Sequence, residues 1–106
     1  SAISRMYFAN HLLAVIKATE RFGGFEASAK GEDHGHVIHA FRRGKTRVLS
    51  DLLQSLRDRR NHADYHIELA NTDCKFCRRG TVEVTPDDWQ QCLAEAERCF
   101  GKLESV

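Results

Sequence analysis

Ten consecutive residues in the middle of the chain could bind a phosphate and move a proton. Residues 57–66, here called the basic segment, hold three arginines and two histidines together with carboxylates and a phenol. Arginine carries a permanent charge and a fork of N–H donors that matches phosphate oxygens. Histidine can accept and donate a proton near neutral pH. The segment could therefore cleave a phosphodiester without a metal ion, although a charged helix end is also often only a solvated surface.

Within the basic segment, two side chains are candidates for the chemical step. His66 could take the proton from a ribose 2′-hydroxyl or protonate the leaving 5′-oxygen. Arg60 would offset the negative charge that builds on the phosphate in the transition state, and Asn61 would orient either group. Such a cut needs the 2′-hydroxyl, so the substrate would be RNA. Four further side chains of the segment are candidate substrate-binding residues: Arg57, Arg59, His62 and Tyr65.

The spacing of these residues predicts a dimer. A helix advances about 100° per residue, so Arg60 and His66 would lie roughly 120° apart on a continuous helix. They converge only if the helix ends or frays between them, or if a second subunit supplies one of them. Arg57 and Asn61, at positions i and i+4, share a face. A twofold-symmetric homodimer would present the basic segment twice around one groove.

Apolar periodicity and capping residues predict the helices that position this segment. The first three predicted helices span residues 1–22, 33–43 and 45–63. Gly23 and Gly24 end the first, and Gly44 ends the second. Thr85 should cap the last helix, with Pro86 at its first position. The prediction is an all-α, antiparallel four-helix bundle, formed by residues 1–106 as one domain, with residues 67–84 as a loop insertion that includes a short strand at 81–84.

The apolar stripe of each helix predicts which residues form the core. The predicted stripe of the first helix is Ile3, Tyr7, Leu12 or Leu13, Val15 and Ile16. In the second helix it is Val37, Ile38 and Phe41. In the third helix it is Val48, Leu49, Leu52, Leu53 and Leu56. In the last helix it is Trp89, Leu93, Ala96, Phe100 and Leu103. Cys92 and Cys99 flank this last stripe and are interpreted as small buried hydrophobic residues.

The polar residues of the first two helices receive structural interpretations. His34, His36 and His39 are grouped closely enough to suggest metal ligands, but on a short helix we interpret them as surface or packing residues. His11 is interpreted as a hydrogen-bonded neighbour of the core. Two side chains of the first helix should pack against the third helix and stiffen the basic segment: Arg5 and Tyr7.

The overall charge of the chain does not select a partner. The net charge of +1 is near neutral, so an affinity for polyanions must come from a local cluster. No apolar run approaches the roughly 18 residues of a membrane span, and no secretory signal is visible. Four cysteines without such a signal indicate free thiols and a cytoplasmic location.

Cys74 and Cys77 have the spacing of half a zinc site. A tetrahedral zinc site needs further ligands, and Cys92 and Cys99 are seven residues apart and do not form a second close pair. Zinc completed by histidines or by a second subunit, and a redox pair, stay open as alternatives. The expectation is that no cofactor is bound.

Three stretches of the chain together resemble the small prokaryotic HEPN family. They are residues 1–9 (Ser-Ala-Ile-Ser-Arg-Met-Tyr-Phe-Ala), the segment His36-Val37-Ile38, and residues 56–66. The family signature is an arginine, usually followed by a polar residue, with a histidine after a gap of four to six. Arg60, Asn61 and His66 satisfy it. Arg57 and His62, with a gap of four, form a competing pair, and the first pair is preferred because Asn61 follows its arginine as the family pattern prefers. The resemblance covers residues 1–68 and, in outline, the last helix.

The resemblance implies a helical bundle, a homodimer with the motif at its interface, and metal-independent endoribonuclease activity of a toxin or defence effector. In this family a partner antitoxin, often a minimal nucleotidyltransferase, typically holds the activity in check. The alternatives are a catalytically silent HEPN module that binds such a partner, and a small zinc-binding regulatory domain. His66 favours catalysis, because relatives with an acidic residue there are presumed inactive. The family usually has a further helix before Ser1, so we expect this fold to lack it or to be completed by a partner subunit.

Overall fold

The chain folds into helices that pack around one core. The computed structural model describes residues 2–22, 33–65 and 85–106. Within them lie α1 (Ala2–Arg21), α2 (Asp33–Ala40), α3 (Arg47–Tyr65) and α4 (Pro86–Glu104), with a 3₁₀ turn at Gly44–Thr46. The predicted all-α class is confirmed for this part of the chain, where no strand occurs. The predicted loop insertion at 67–84, with its short strand, lies outside the described residues.

The helices α1 and α3 form the central pair, which α2 and α4 flank. Helices α1 and α4 run in the same direction, because Met6 contacts Cys92 near their beginnings and Lys17 donates a hydrogen bond to the Val106 carbonyl near their ends. Helix α3 runs the opposite way. The beginnings of α1 and α2 therefore lie beside the C-terminal half of α3, which carries the basic segment.

The core is built from apolar side chains of all four helices, with cysteines among them. Its fully buried large members are Tyr7, Val37, Phe41, Leu53, Leu56 and Leu103. Cys92 and Cys99 are free thiols and both are buried, as predicted. Burial, with a smaller effect from the Glu95 charge, raises the pKa of Cys99 to about 12. This thiol is therefore protonated at neutral pH and behaves as a small hydrophobic side chain.

The buried faces of α1 and α4 are rotated relative to the predicted stripes. In α1, Leu12 is 63% exposed and Ile16 is 52% exposed. The predicted core residues Val48, Trp89, Leu93 and Phe100 are also exposed. The buried face of α4 is instead made by Cys92, Ala96, Cys99 and Leu103. Apart from Leu103 these side chains are small, and small side chains on a packed face allow two helices to approach closely.

No helix within the described residues is both long enough and apolar enough to cross a membrane.

The predicted cap of α4 is confirmed and should contribute measurably to stability. The Thr85 hydroxyl accepts a hydrogen bond from the Asp88 amide, 3.2 Å away, and the Asp88 carboxylate accepts one from the Thr85 amide at 3.0 Å. We expect Thr85→Ala to lower the free energy of unfolding by about 1 kcal/mol, because one amide at the helix start loses its partner. Urea denaturation followed by circular dichroism measures this change.

Thr19→Ala is the matched control, because Thr19 is also exposed but lies inside α1. Its hydroxyl only donates to the Val15 carbonyl of the preceding turn, and alanine is the better helix former, so stability should change by less than about 0.5 kcal/mol. Equal losses in the two variants would contradict a specific role for the cap.

Candidate functional site

Two arginines of α3 face the beginnings of α1 and α2. Arg57 and Arg60 are three residues apart, so they lie on the same side of the helix. The guanidinium carbon of Arg60 lies 5.1 Å from the centre of the Phe8 ring and 6.0 Å from that of Tyr7, within the range of a cation–π interaction. The side chain of Arg57 lies against Gly35: its Nη1 atom is 3.9 Å from the point that a Cβ atom would occupy if residue 35 were not glycine. Both arginines are half-buried, so two cations lie at the junction of three helices.

Asn61 is hydrogen-bonded to the guanidinium of its neighbour. The Nη1 atom of Arg60 donates a hydrogen bond to the Asn61 Oδ1 atom at 3.2 Å. This bond and the two aromatic rings restrict the rotamers of Arg60. Two of the candidate residues, Arg60 and Asn61, are therefore in contact, and their part in catalysis stays a prediction.

Two histidines and a tyrosine, here called the imidazole cluster (Tyr7, His11 and His34), lie beside these arginines. The Tyr7 hydroxyl is hydrogen-bonded to the Nδ1 atom of His34. The rings of His11 and His34 stack with their centroids 4.2 Å apart and their planes 20° from parallel. Tyr7 and His11 are buried, with Tyr7 only 1% exposed, whereas His34 is half-buried. His34 therefore lies at the boundary with solvent, backed by two buried rings.

The protonation state of Tyr7 follows from its surroundings. Burial raises the pKa of Tyr7 to about 12, and the positive charges of Arg57 and Arg60 oppose this rise more weakly. The phenol is therefore protonated at neutral pH and can donate its proton to the Nδ1 atom of His34. Among the three side chains of the imidazole cluster, this effect of the two arginines is assigned to Tyr7 alone.

Arg59 and His62, predicted to bind substrate, lie in the interior instead. Arg59 is 6% exposed and holds Glu95 of α4 in a bidentate ion pair, with its Nε and Nη2 atoms each 3.0 Å from a carboxylate oxygen. The Ser55 hydroxyl donates to the same carboxylate at 2.9 Å. His62 is buried as well. Both positions are on faces of α3 that pack inside the bundle, so neither side chain is accessible to a polyanion.

Several predicted site residues lie beyond what the structure describes. His66, Cys74 and Cys77 are outside the described residues, and of Tyr65 only the backbone, at the end of α3, is described. In the described part of the chain, no three His, Cys, Asp or Glu side chains form a group that could hold a metal ion. His36 and His39 are exposed, in agreement with their interpretation as surface residues.

The imidazole cluster was not predicted from the sequence as part of the site. His11 and His34 were interpreted as packing or surface residues, whereas in the structure the rings of both stack with the ring of Tyr7. One signal was present, because Tyr7 and His11 have the i, i+4 spacing of a shared helix face. No signal connects them to His34, which lies 27 residues from Tyr7 along the chain.

The comparisons with known proteins do not test the resemblance. A scan of protein-family models found no match, and searches of curated proteins and of solved structures found no similar protein. The HEPN resemblance therefore stays a prediction from the sequence.

Proposed function

We propose that the protein is a metal-independent endoribonuclease of the HEPN type, acting as a cytoplasmic toxin or defence effector. The observation that carries the proposal is the convergence of Arg57 and Arg60 with the imidazole cluster at the junction of α1, α2 and α3. Cleavage of RNA by its own 2′-hydroxyl needs a cation at the phosphate and side chains that exchange protons or hydrogen bonds with it. Both kinds of group are present here.

Arg57 and Arg60 supply the phosphate-binding charge in this proposal. Charge-assisted bonds from guanidinium groups to phosphate are strong, and partial burial reduces the screening by water. The charge of Arg59 is balanced by Glu95 in an ion pair, so it adds little to the field at the site. The chain has a net charge of only +1, and local attraction by these two arginines replaces a general attraction for RNA.

Arg60 stabilises the transition state in this proposal. The attack of the 2′-oxygen places extra negative charge on the phosphate oxygens while the 2′-oxygen–phosphorus bond forms and the bond to the 5′-oxygen breaks. A cation that is already oriented stabilises this charge without further reorganisation. The contacts of Arg60 with Asn61 and Phe8 support such an orientation.

His66 transfers the proton between the 2′-hydroxyl and the leaving 5′-oxygen, so the products are a 2′,3′-cyclic phosphate and a free 5′-hydroxyl. Because α3 is helical through Tyr65, fraying within the helix does not bring the backbone of His66 to Arg60. Two ways remain to bring His66 to Arg60: the chain changes direction after Tyr65, or a second subunit supplies one of the two side chains. The proposal takes the second way and so includes a homodimer. From the family resemblance, it also includes a nucleotidyltransferase-type antitoxin as its regulator.

The test is an RNA cleavage assay with the purified chain, on structured and single-stranded RNA, with and without EDTA. We expect chelator-resistant cleavage that leaves 2′,3′-cyclic phosphate ends and that stops when the ribose at the cut carries no 2′-hydroxyl. His66→Ala should lower the rate by about 10²–10⁴-fold, the usual contribution of a general acid or base. His39→Ala is the matched control, since His39 is exposed on α2, and it should leave the rate unchanged.

The other outcomes identify the alternatives. RNA binding without cleavage by the folded wild-type chain would contradict the nuclease and support the silent binding module. Stoichiometric zinc whose removal unfolds the chain would support a zinc-binding domain. Light scattering after size exclusion reports whether the active form is a dimer.

A further inference from the structure

We propose that the cleft between the beginning of α3 and the end of α4 binds an acidic segment of a partner protein, one that carries an apolar side chain between its carboxylates. This α3–α4 cleft has a volume of about 590 Å³. The lining side chains that matter for binding are Lys45, Val48, Leu49, Glu97, Arg98 and Lys102. At about 1.5 Å per residue, Val48 and Arg60 lie roughly 18 Å apart along α3, so this cleft is distinct from the proposed RNA site.

The first observation is the charge of the α3–α4 cleft. Lys45, Arg98 and Lys102 are exposed, and none of the three forms an ion pair with another described residue. Among the described residues that line the cleft, Glu97 alone is acidic. Neither the 3₁₀ turn nor the first turn of α3 carries a carboxylate that would offset the positive end of the helix dipole. A chain with a net charge of only +1 thus has a local surface here that attracts carboxylates.

The second observation is the apolar surface in the same cleft. Val48 is 44% exposed, whereas its neighbour Leu49 is buried. Gly101 also lines the cleft, and a Cβ atom at this position would meet no other atom within 4 Å, so the α4 side is open. An apolar side chain that packs on Val48 removes its exposed surface from water, which is favourable. The cleft therefore offers one apolar contact together with three cations.

This combination favours an acidic protein segment over RNA. Proteins that bind single-stranded RNA without sequence preference stack its bases on aromatic side chains, and no aromatic residue is among the described residues that line the cleft. Duplex RNA presents phosphates and ribose hydroxyls, which would leave the apolar surface of Val48 uncovered. A protein segment with a leucine between glutamates or aspartates matches both the charge and the apolar contact.

Charge also distinguishes the two sides of α4. On the other side, a cavity between α1 and α4 is lined by the exposed apolar side chains Leu93 and Phe100, together with Glu97 and Glu104. No basic side chain is among its described lining residues. An apolar segment could pack on either side of α4, but an acidic one would be repelled from this cavity. The carboxylates of the partner therefore select the α3–α4 cleft.

The test measures the binding of synthetic fluorescein-labelled peptides to the folded chain by fluorescence anisotropy. Each peptide of the set carries a leucine flanked by glutamates, with different spacings. Reference peptides replace the leucine by serine, or the glutamates by glutamine. We expect saturable binding of the glutamate–leucine peptides that weakens as salt is raised, because exposed charges are screened. Both kinds of reference peptide should bind about tenfold more weakly, since each lacks one of the two contacts.

Charge reversal in the protein tests the role of the cations. Lys45→Glu and Lys102→Glu change opposite walls of the α3–α4 cleft, and each should weaken peptide binding by about tenfold. Arg5→Glu is the matched control, because Arg5 is exposed at the beginning of α1, at the other end of the bundle. It changes the net charge equally and should alter peptide binding by less than about twofold.

Two further variants test the apolar contact and the space in the cleft. Val48→Ser should weaken peptide binding by about fivefold, whereas Leu93→Ser, from an equally exposed position on the other side of α4, should not. Gly101→Leu adds a large side chain at the cleft and should weaken peptide binding by at least about tenfold. It should fold, because leucine is the better helix former. Ala94→Leu, exposed on the same helix, is its control, and urea denaturation confirms the fold of each variant.

The outcomes decide between an acidic protein segment and the alternatives. Failure of every glutamate–leucine peptide to bind the folded wild type in a saturable manner would overturn the proposal. Peptide binding that is unchanged in both Lys102→Glu and Gly101→Leu would place the peptide elsewhere and overturn it too. A 2′-O-methyl oligoribonucleotide whose binding is lost in Lys102→Glu, and with which no peptide competes, would identify the cleft as an RNA surface instead. Peptide binding is measured without RNA cleavage, so failure of the proposed nuclease would leave this result unaffected.

Discussion

Replacement of Arg60 by alanine is expected to lower the rate of RNA cleavage by about 10²–10³-fold, the usual effect of removing one oriented electrostatic group from a transition state. The loss should appear mainly in kcat, because Arg57 remains to bind the phosphate in the ground state. Arg60→Lys should recover part of the rate, since lysine restores the charge but not the fork of donors. Initial rates at saturating RNA measure each effect.

Arg98→Ala is the matched control for Arg60→Ala. It removes the same charge from an exposed position on α4, so general attraction for RNA falls equally and the rate should change by no more than about twofold. Equal losses in the two variants would show that only net charge matters and would contradict the proposed site. Arg60→Ala also loses its contacts with Phe8 and Tyr7, worth about 0.5–1 kcal/mol, so the rates are compared where both variants are fully folded.

Replacement of Arg59 by alanine is expected to destabilise the fold and leave the chemistry intact. Removing one partner of a buried ion pair costs about 3–5 kcal/mol. Because Glu95 is 28% exposed, water can partly solvate its carboxylate, and we expect a smaller loss of about 2–3 kcal/mol in the free energy of unfolding. Urea denaturation measures the loss, and cleavage below the unfolding transition measures activity.

Arg57→Ala is the matched stability control, since Arg57 lies on the same helix but is half-buried. It should change the free energy of unfolding by less than about 0.5 kcal/mol. A double-mutant cycle with Glu95→Gln should show coupling between positions 59 and 95. Loss of cleavage in a folded Arg59→Ala protein, without loss of stability, would contradict the structural role and return Arg59 to substrate binding.

The local structure of the chain could be predicted from the sequence, because it depends on interactions within one or two helical turns. The all-α class of the described residues, the cap at Thr85 and the beginning of α4 at Pro86 are found as predicted. The helix ends differ by a few residues: α2 ends at Ala40, and α3 begins at Arg47 after a 3₁₀ turn. Such ends depend on the balance of a few hydrogen bonds, which sequence pattern resolves poorly.

The rotation of each helix about its own axis could not be predicted in the same way. Apolar size favours Leu12, Ile16, Leu93 and Phe100 for the core, yet all four are exposed. The faces that pack carry smaller or polar residues, among them Ala14, Ala18, Cys92 and Ala96. Which face is buried depends on how closely the axes of α1, α3 and α4 approach, and this depends on contacts between residues far apart in the chain.

By itself, the sequence determined the helices, the cap and the concentration of arginines and histidines in one segment, since each is a property of neighbouring residues. Only the tertiary structure decided what those side chains do. Arg59 and Arg60 are adjacent in sequence but lie about 100° apart around α3, so one binds Glu95 and the other contacts Phe8. His34 joins Tyr7 only because the packing of α1 against α2 brings together residues 27 positions apart. Contacts of this kind depend on the shape of the assembled core, which no local pattern contains.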